Sequence, residues 1–303
     1  GLGIFLSTLY SALGTHHHIP DLYKPPQRSL EFKKFLIEMK QTLANKSWIV
    51  LFLAGTVYAV ATGIDTGVGT YYNQYLWKWE PQAIAIFSVC AALTVIAVSF
   101  SARLIARGRD KKQIAIKVFL CAVFLGPLPV FLRLIDPYVA ITTFPANGSD
   151  LLWWVLLLHA CTGAGLAMLG FIFVASMGME IVEDQQAKTG RREEGLLGTV
   201  NSMIQKLVGA GGVVIAGVII TVSGFDDPTL DPSEKYTTAI NTFSWIHVGV
   251  GFFLPLCSTL LITQYSISRE SHMENISQLG YIINTSGLDY SGSGGSGDSS
   301  RGT

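Results

Sequence analysis

Charge is what this sequence has least of. Only 14% of its 303 residues are Asp, Glu, Lys or Arg, against 50% hydrophobic, where a soluble domain carries about 25% charge. An ordinary soluble enzyme is therefore excluded. The charge that exists is balanced: Lys plus Arg and Asp plus Glu both number 21, which leaves no basic excess for nucleic acid and no acidic tail. Cysteine is equally scarce, with Cys90, Cys121, Cys161 and Cys257 each alone inside an apolar run. Without a CxxC pair neither a disulfide framework nor a Cys/His metal site is expected, only small buried hydrophobes. GxSxG, HExxH and a phosphate-binding glycine loop are also missing, since Gly209 to Gly212 lies within an apolar run rather than after a strand. Catalysis is not expected.

Long apolar runs are what the sequence does have. Six of them, near residues 47–76, 81–106, 113–135, 151–179, 196–223 and 239–265, exceed the roughly 20 residues that an α-helix needs to cross a bilayer. Lipid offers the backbone no hydrogen-bond partner, and period-2 alternation is absent, so each run is expected to be a helix. The expected class is an all-α polytopic membrane protein. Residues 1–14 form a seventh, shorter run without the basic start or cleavage site of a signal peptide. They are expected to be the truncated end of a membrane helix, and the chain the C-terminal part of a longer protein.

Loop charge sets the expected orientation. Residues 15–46 carry Lys24, Arg28, Lys33, Lys34, Lys40 and Lys46; the segment 103–117 carries Arg103, Arg107, Arg109, Lys111, Lys112 and Lys117; a third carries Lys188, Arg191 and Arg192. The alternate loops hold Lys78, no cation, and Lys235. The basic loops are thus expected to be cytoplasmic, with Trp77, Trp79, Trp153 and Trp154 in an outer aromatic belt. Asn147-Gly148-Ser149, in an outer loop, matches a glycosylation sequon. Leu30, Phe32, Phe35, Leu36, Met39 and Leu43 alternate with charge at helical spacing, so residues 15–46 are expected to be a linker with an amphipathic surface helix. The bundle then occupies 47–266, and 267–303 is a cytoplasmic tail whose Gly/Ser-rich part is expected to be disordered from about 286.

Several features inside the runs carry chemical information. Gly55, Ala59, Gly63 and Gly67 recur every fourth residue, and Gly209, Gly211, Gly212, Ala216 and Gly217 mark the fifth run, both patterns that let helices approach closely. Gly163, Gly165 and Ala167 do the same in the fourth. Gly126-Pro127-Leu128-Pro129 is expected to kink or break the third. Lys206 stands ten residues into the fifth run, about 15 Å deep, where an unpaired cation costs at least ~2.5 kcal/mol. It is expected to face a cavity or a carboxylate. Asp65 lies near the outer end, at the level of Arg133, with which it can pair. His159 and His247, about 12 Å below the outer surface, can relay protons or ligate haem; His16-His17-His18 reads as an interfacial cluster. Acids at 180, 183 and 184 oppose the dipole of the helix they end, so partners are expected from Arg191, Arg192 or another basic loop.

The segment Glu183, Asp184, Thr189, Gly190, Arg191, Arg192, Glu194, Gly195, followed by a run with a central Lys, resembles the glycoside-pentoside-hexuronide:cation symporters, the melibiose-permease-like branch of the major facilitator superfamily. Arg-Gly-Arg-Asp-Lys-Lys at 107–112 looks like the basic loop between that superfamily's eighth and ninth helices, whereas Gln186 departs from the acid often found there. The resemblance implies that the six runs are helices seven to twelve of a twelve-helix transporter and that 15–46 links its halves. It further implies that Lys206 corresponds to a helix-eleven lysine near the sugar and cation sites, and that the principal carboxylates lie in the missing N-terminal half. The function expected on this basis is cation-coupled symport of a sugar or glycoside across the plasma (inner) membrane by alternating access. The substrate or coupling residues would be Lys206, Asp65, Arg133 and His159, with the 183–194 segment as a cytoplasmic gate. No tightly bound cofactor is expected, only a coupling Na+ or H+. The expected partners are the solute, the bilayer and the N-terminal half. The alternatives are a lysolipid carrier of the same superfamily, a haem-binding membrane redox protein using His159 and His247, and a structural remnant that transports nothing.

Overall fold

The computed structural model describes residues 2–16, 20, 37, 40–139, 144–225, 238–280, 282–283 and 290–291. The chain divides into two compact units, residues 1–40 and 41–303. In the first, the described element is α1 (Leu2–Thr15), an apolar helix of 14 residues. Most of the linker's amphipathic stretch lies outside the described residues, as do His17 and His18.

The second unit contains, among the described residues, six helices long and apolar enough to cross a membrane. They are α2 (Lys46–Tyr71), continued by a π-turn through Tyr72–Leu76; α3 (Pro81–Ala106); α4 (Lys111–Leu125) with its continuation α5 (Leu128–Ile135); α6 (Asp150–Thr189); α7 (Glu194–Val222); and α8 (Ile240–Ile262). Polar residues start them. Asn45 Oδ1 accepts from Trp48 N at 3.2 Å, Asp110 Oδ1 from Lys112 N at 2.8 Å, and Ser149 Oγ from Leu152 N at 3.3 Å, each satisfying an amide that the first turn leaves open. On α3 the residues Ile86, Val89, Leu93, Ile96, Phe100 and Leu104 form an exposed apolar stripe. Such a stripe suits lipid and not water.

The third run breaks where expected, at Gly126-Pro127 between α4 and α5. The fourth does not end where expected. The segment read as a loop from 183 onward is helical to Thr189, so α6 has 40 residues, about 60 Å of helix against a ~30 Å hydrocarbon core. Nothing in Glu-Asp-Gln-Gln-Ala-Lys-Thr breaks a helix, and termination waits for Gly190, whose φ of 68° closes a left-handed cap. A further helix, α9 (Arg269–Gln278), stands in the segment read as tail, started by a capping box between Ser268 and Ser271. Ile282–Ile283 pairs antiparallel with Tyr290–Ser291; the remaining residues beyond 283, on which the expectation of disorder falls, lie outside the described ones.

Buried apolar residues form two tiers. Near the Lys/Arg-rich helix ends, Ala54, Ala115, Phe173, Met177, Ile181, Ile262 and Tyr265 make one cluster. Near the Trp-rich ends, Ile64, Val68, Leu134, Leu152, Leu156, Ala216 and Phe243 make the other.

The main contact of the bundle is α2 on α7. A Cβ added to Gly63 would lie 2.2 Å from Gly209 O, one on Gly212 would lie 2.6 Å from Val60 O, and one on Gly67 would lie 2.5 Å from Ala216 Cβ. Backbone meets backbone there, as the fourfold glycine spacing predicts. A Cβ added to Gly211 or Gly217, both expected on the same face, would meet nothing within 4 Å. A Cβ added to Gly165 would lie 3.3 Å from Val98 Cγ2, which marks the approach of α6 to α3.

Gly63→Ala and Gly212→Ala should each lower the thermal midpoint of the detergent-solubilised protein, by the equivalent of about 1–3 kcal/mol or more, because the added methyl meets backbone. Gly217→Ala should not. Equal midpoints for the Gly63 and Gly217 variants would refute the close seam.

Candidate functional site

Beside the second tier, and reaching toward the first, lies a half-open cavity of about 460 Å³ lined by α2, α4, α5, α6 and α8. Its position follows from side chains that the helices lack. At its level α4 gives way to α5 through Gly126 and Pro127, α6 presents Gly163 and Ala167, and α8 presents Gly251 and Pro255. Small residues and interrupted helices leave volume that Leu or Phe would fill. Gly163 has nothing within 4 Å of where its Cβ would be. At the edge, Phe119 rests on Gly170, whose added Cβ would meet its Cε1 at 2.9 Å, and it stands edge-on to Tyr58 with centroids 6.1 Å apart.

Polar groups from three helices line this half-open cavity: Asp65, which is exposed, and Asn73 from α2 and its π-turn, His159 from α6, and His247 from α8. On α2, Tyr58, Asp65 and Tyr72 are spaced by seven residues and line the cavity together, two helical turns apart on one face. The His247 ring lies 4.6 Å from that of Tyr72. The Tyr72 hydroxyl is buried beside Ser244 Oγ, and neither makes a well-formed hydrogen bond.

Asp65, His159 and His247 thus line one cavity, while the two cations expected near them are placed elsewhere. Arg133 Nη1 donates to Pro145 O at 3.2 Å, and its guanidinium stands 5.7 Å from the centre of the Phe144 ring. Among the described residues no ion pair joins it to Asp65. Lys206 is exposed on α7 and has no hydrogen bond or ion pair among the described residues. Its neighbour Gln205 packs at Gly55, ten residues before Asp65, so the two charges are offset by about 15 Å along the bundle. Asn147, the sequon asparagine, donates Nδ2 to Leu76 O at 2.9 Å, so its amide is engaged in the fold.

At the Lys/Arg-rich end the acids of α6 find partners on four other segments. Glu180, with 8% of its side chain exposed, pairs with Lys111 of α4 at 2.9 Å and accepts from the Tyr265 hydroxyl at 3.0 Å. Burial, and then the Glu180 charge, hold that hydroxyl well above the ordinary tyrosine range, so it remains a donor. Glu183 sits 3.2 Å from His272 Nδ1 of α9. Asp184 pairs with Lys188 at 2.8 Å, and it accepts from Asn45 at 3.3 Å and Asn275 at 3.4 Å. Beyond Gly190, Arg191 pairs with Glu193 at 2.8 Å and donates to Gln41 at 3.3 Å, while Arg192 pairs with Glu194 at 3.2 Å. Thr42 and Glu193 are also hydrogen-bonded, and Arg191 N donates to Thr189 Oγ1 at 3.2 Å. The segment is a folded junction of helix ends rather than a free loop.

The sequence reading passed over Tyr58, Tyr72 and Asn73 in the cavity and Tyr265 and His272 at the junction. The heptad spacing of Tyr58, Asp65 and Tyr72 was a usable signal for the first group. Nothing local marks the second, whose partners lie 85 to 89 positions away in sequence.

No curated protein sequence matches the chain. Residues 4–269, however, match the family described as MFS/sugar transport protein. A bundle of six apolar helices around a cavity lined by aromatic and polar side chains is consistent with that match, and the chain belongs to the MFS/sugar transport protein family.

Proposed function

We propose that the protein is a cation-coupled symporter of a sugar or glycoside, working by alternating access between this six-helix bundle and a second, N-terminal six-helix bundle. The observation that carries the reading is the cavity, where Tyr58, Trp77 and Phe119 offer aromatic surface and Asp65, Asn73 and His159 offer hydrogen bonds. Aromatic walls with a few convergent polar groups suit a hydroxylated solute. The family match supports transport of a solute over the redox alternative. In this reading Asp65 and His159 contact the solute or its coupling ion. Arg133 holds Phe144 and Pro145 at the Trp-rich end. Lys206 serves the facing bundle: an exposed lysine midway along an apolar helix supports a carboxylate partner outside this chain, where the principal site for Na+ or H+ would lie. The basic loops and the α6–α9 junction face the cytoplasm, across the plasma membrane, and the junction acts as the inner gate.

Three outcomes follow. Gly163→Leu places a side chain into open cavity, so it should abolish uptake by the intact protein while leaving its thermal midpoint unchanged; undiminished uptake would remove the cavity from the solute path. Lys206→Ala, on an exposed face, should keep the fold and lose ion-dependent accumulation; unaltered ion dependence of labelled glycoside uptake would show that it plays no part in coupling. Lys111→Ala leaves Glu180 buried without its cation and should cost about 2 kcal/mol, given that Lys111 itself is 30% exposed. Thermal unfolding in detergent reads that loss, and Lys111→Met with Glu180→Gln should recover part of it.

A further inference from the structure

The acids of the junction each face a basic side chain, and Asp110 and Asp136 accept backbone amides at 2.8 Å and 2.6 Å. Asp65 is different. It lies within a spanning helix, is exposed in the half-open cavity, and has no hydrogen bond or ion pair among the described residues. The hydroxyls next to it on α2 are committed to backbone: Thr62 Oγ1 donates to Ala59 O at 3.1 Å and Thr66 Oγ1 to Thr62 O at 2.7 Å. An acid inside a span calls for a partner.

The surroundings define that partner. Among the described residues no lysine or arginine lines the cavity. Arg133 is engaged with Pro145 and Phe144, and Lys206 is offset by about 15 Å along the bundle. A solute bearing a carboxylate or phosphate therefore meets no fixed positive charge on these walls, whereas a cationic group meets a carboxylate with no competing partner. Asn73, His159 and His247 add acceptor atoms. Room is present on both sides: a Cβ added to Gly69, one turn beyond Asp65, or to Gly163 on the α6 wall would meet nothing within 4 Å. Tyr58 stands two turns from Asp65 on the same face, about 10.5 Å along the helix, half-buried and edge-on to Phe119.

We propose that the solute carries a basic amino group and that Asp65 receives it, which makes the substrate class an amino sugar or an amine-bearing glycoside. The ammonium donates N–H bonds to the Asp65 carboxylate, and such charge-assisted bonds are stronger than those between neutral groups. With its ammonium at Asp65 the solute has its ring toward Tyr58, whose aromatic surface suits the apolar face of a sugar. The same carboxylate repels an acid group brought to that position, so attraction and exclusion act together. The biological role rests on the transport reading of the cavity; the binding is measurable without transport.

The test is calorimetric titration of the intact detergent-solubilised protein, at constant ionic strength, with glucosamine, glucose, N-acetylglucosamine, glucuronate and ethanolamine. Glucosamine should bind about tenfold more tightly than glucose or N-acetylglucosamine, the latter keeping the nitrogen without its charge, and glucuronate should bind weakest. Asp65→Asn removes no contact within the chain, so it should leave the thermal midpoint unchanged while abolishing the glucosamine preference; Asp65→Glu should retain part of it. Equal affinities for glucosamine and N-acetylglucosamine in the wild type, or a preference that survives Asp65→Asn, overturns the proposal and leaves the sugar reading standing. Failure of both glucosamine and ethanolamine to bind overturns it as well. Ethanolamine bound in an Asp65-dependent way, with no sugar bound at all, supports the amine site and sinks the sugar reading.

Discussion

The close approach of α2 and α7 governs the arrangement of the rest. Inside a bilayer, apolar side chains gain little by leaving lipid for one another, so helices are held by fitted surfaces and by groups that let backbones touch. Gly63, Gly67, Gly212 and Ala216 supply such a surface. Once that face of α2 is committed, the residue two positions after Gly63, about 200° round the helix, must point away from α7. That residue is Asp65, and with Tyr58 and Tyr72 it lines the cavity.

The cavity is the second consequence, produced by deletion rather than by construction. Around it the helices pack large aliphatic and aromatic side chains into two tiers. At its own level come Gly126-Pro127, Gly163, Gly251 and Pro255, and an interior that loses that much side chain on three walls cannot close. Pro127 and Pro255 also free backbone carbonyls from helical pairing, which adds polar character to the cavity walls.

The charged residues divide the labour differently. Those at the Lys/Arg-rich end are spent on joining helix ends: α6 outruns the hydrocarbon core and offers its last turns as a post to which α4, α9 and the start of α2 are tied through Lys111, His272, Asn275 and Asn45. A cluster of acids at a helix C-terminus is unfavourable to its dipole, and partners from four segments offset this. Tyr265, buried with its hydroxyl between Met177 O and Glu180, couples that charge cluster to the apolar tier beneath it.

Much of this could be read from the chain alone, because bilayer physics acts locally. The number of spanning helices, their bounds to within a few residues except at the end of α6, the break at Gly126-Pro127 and the glycine face of α2 all follow from run length, proline chemistry and fourfold spacing. Other features were not legible. The length of α6 depends on the absence of a breaker before Gly190, which a charge-based boundary overlooks. The separation of Lys206 and Arg133 from Asp65 depends on helix rotation about its own axis, which hydropathy does not encode. Above all, His159 and His247 are 88 positions apart, and only the packing of α6 and α8 against α2 places them in one cavity with Asp65. Composition determined that this protein lives in lipid as a helix bundle, since every backbone must satisfy itself there. Which buried polar groups share a space was decided by tertiary structure, since that depends on the faces the helices turn toward one another.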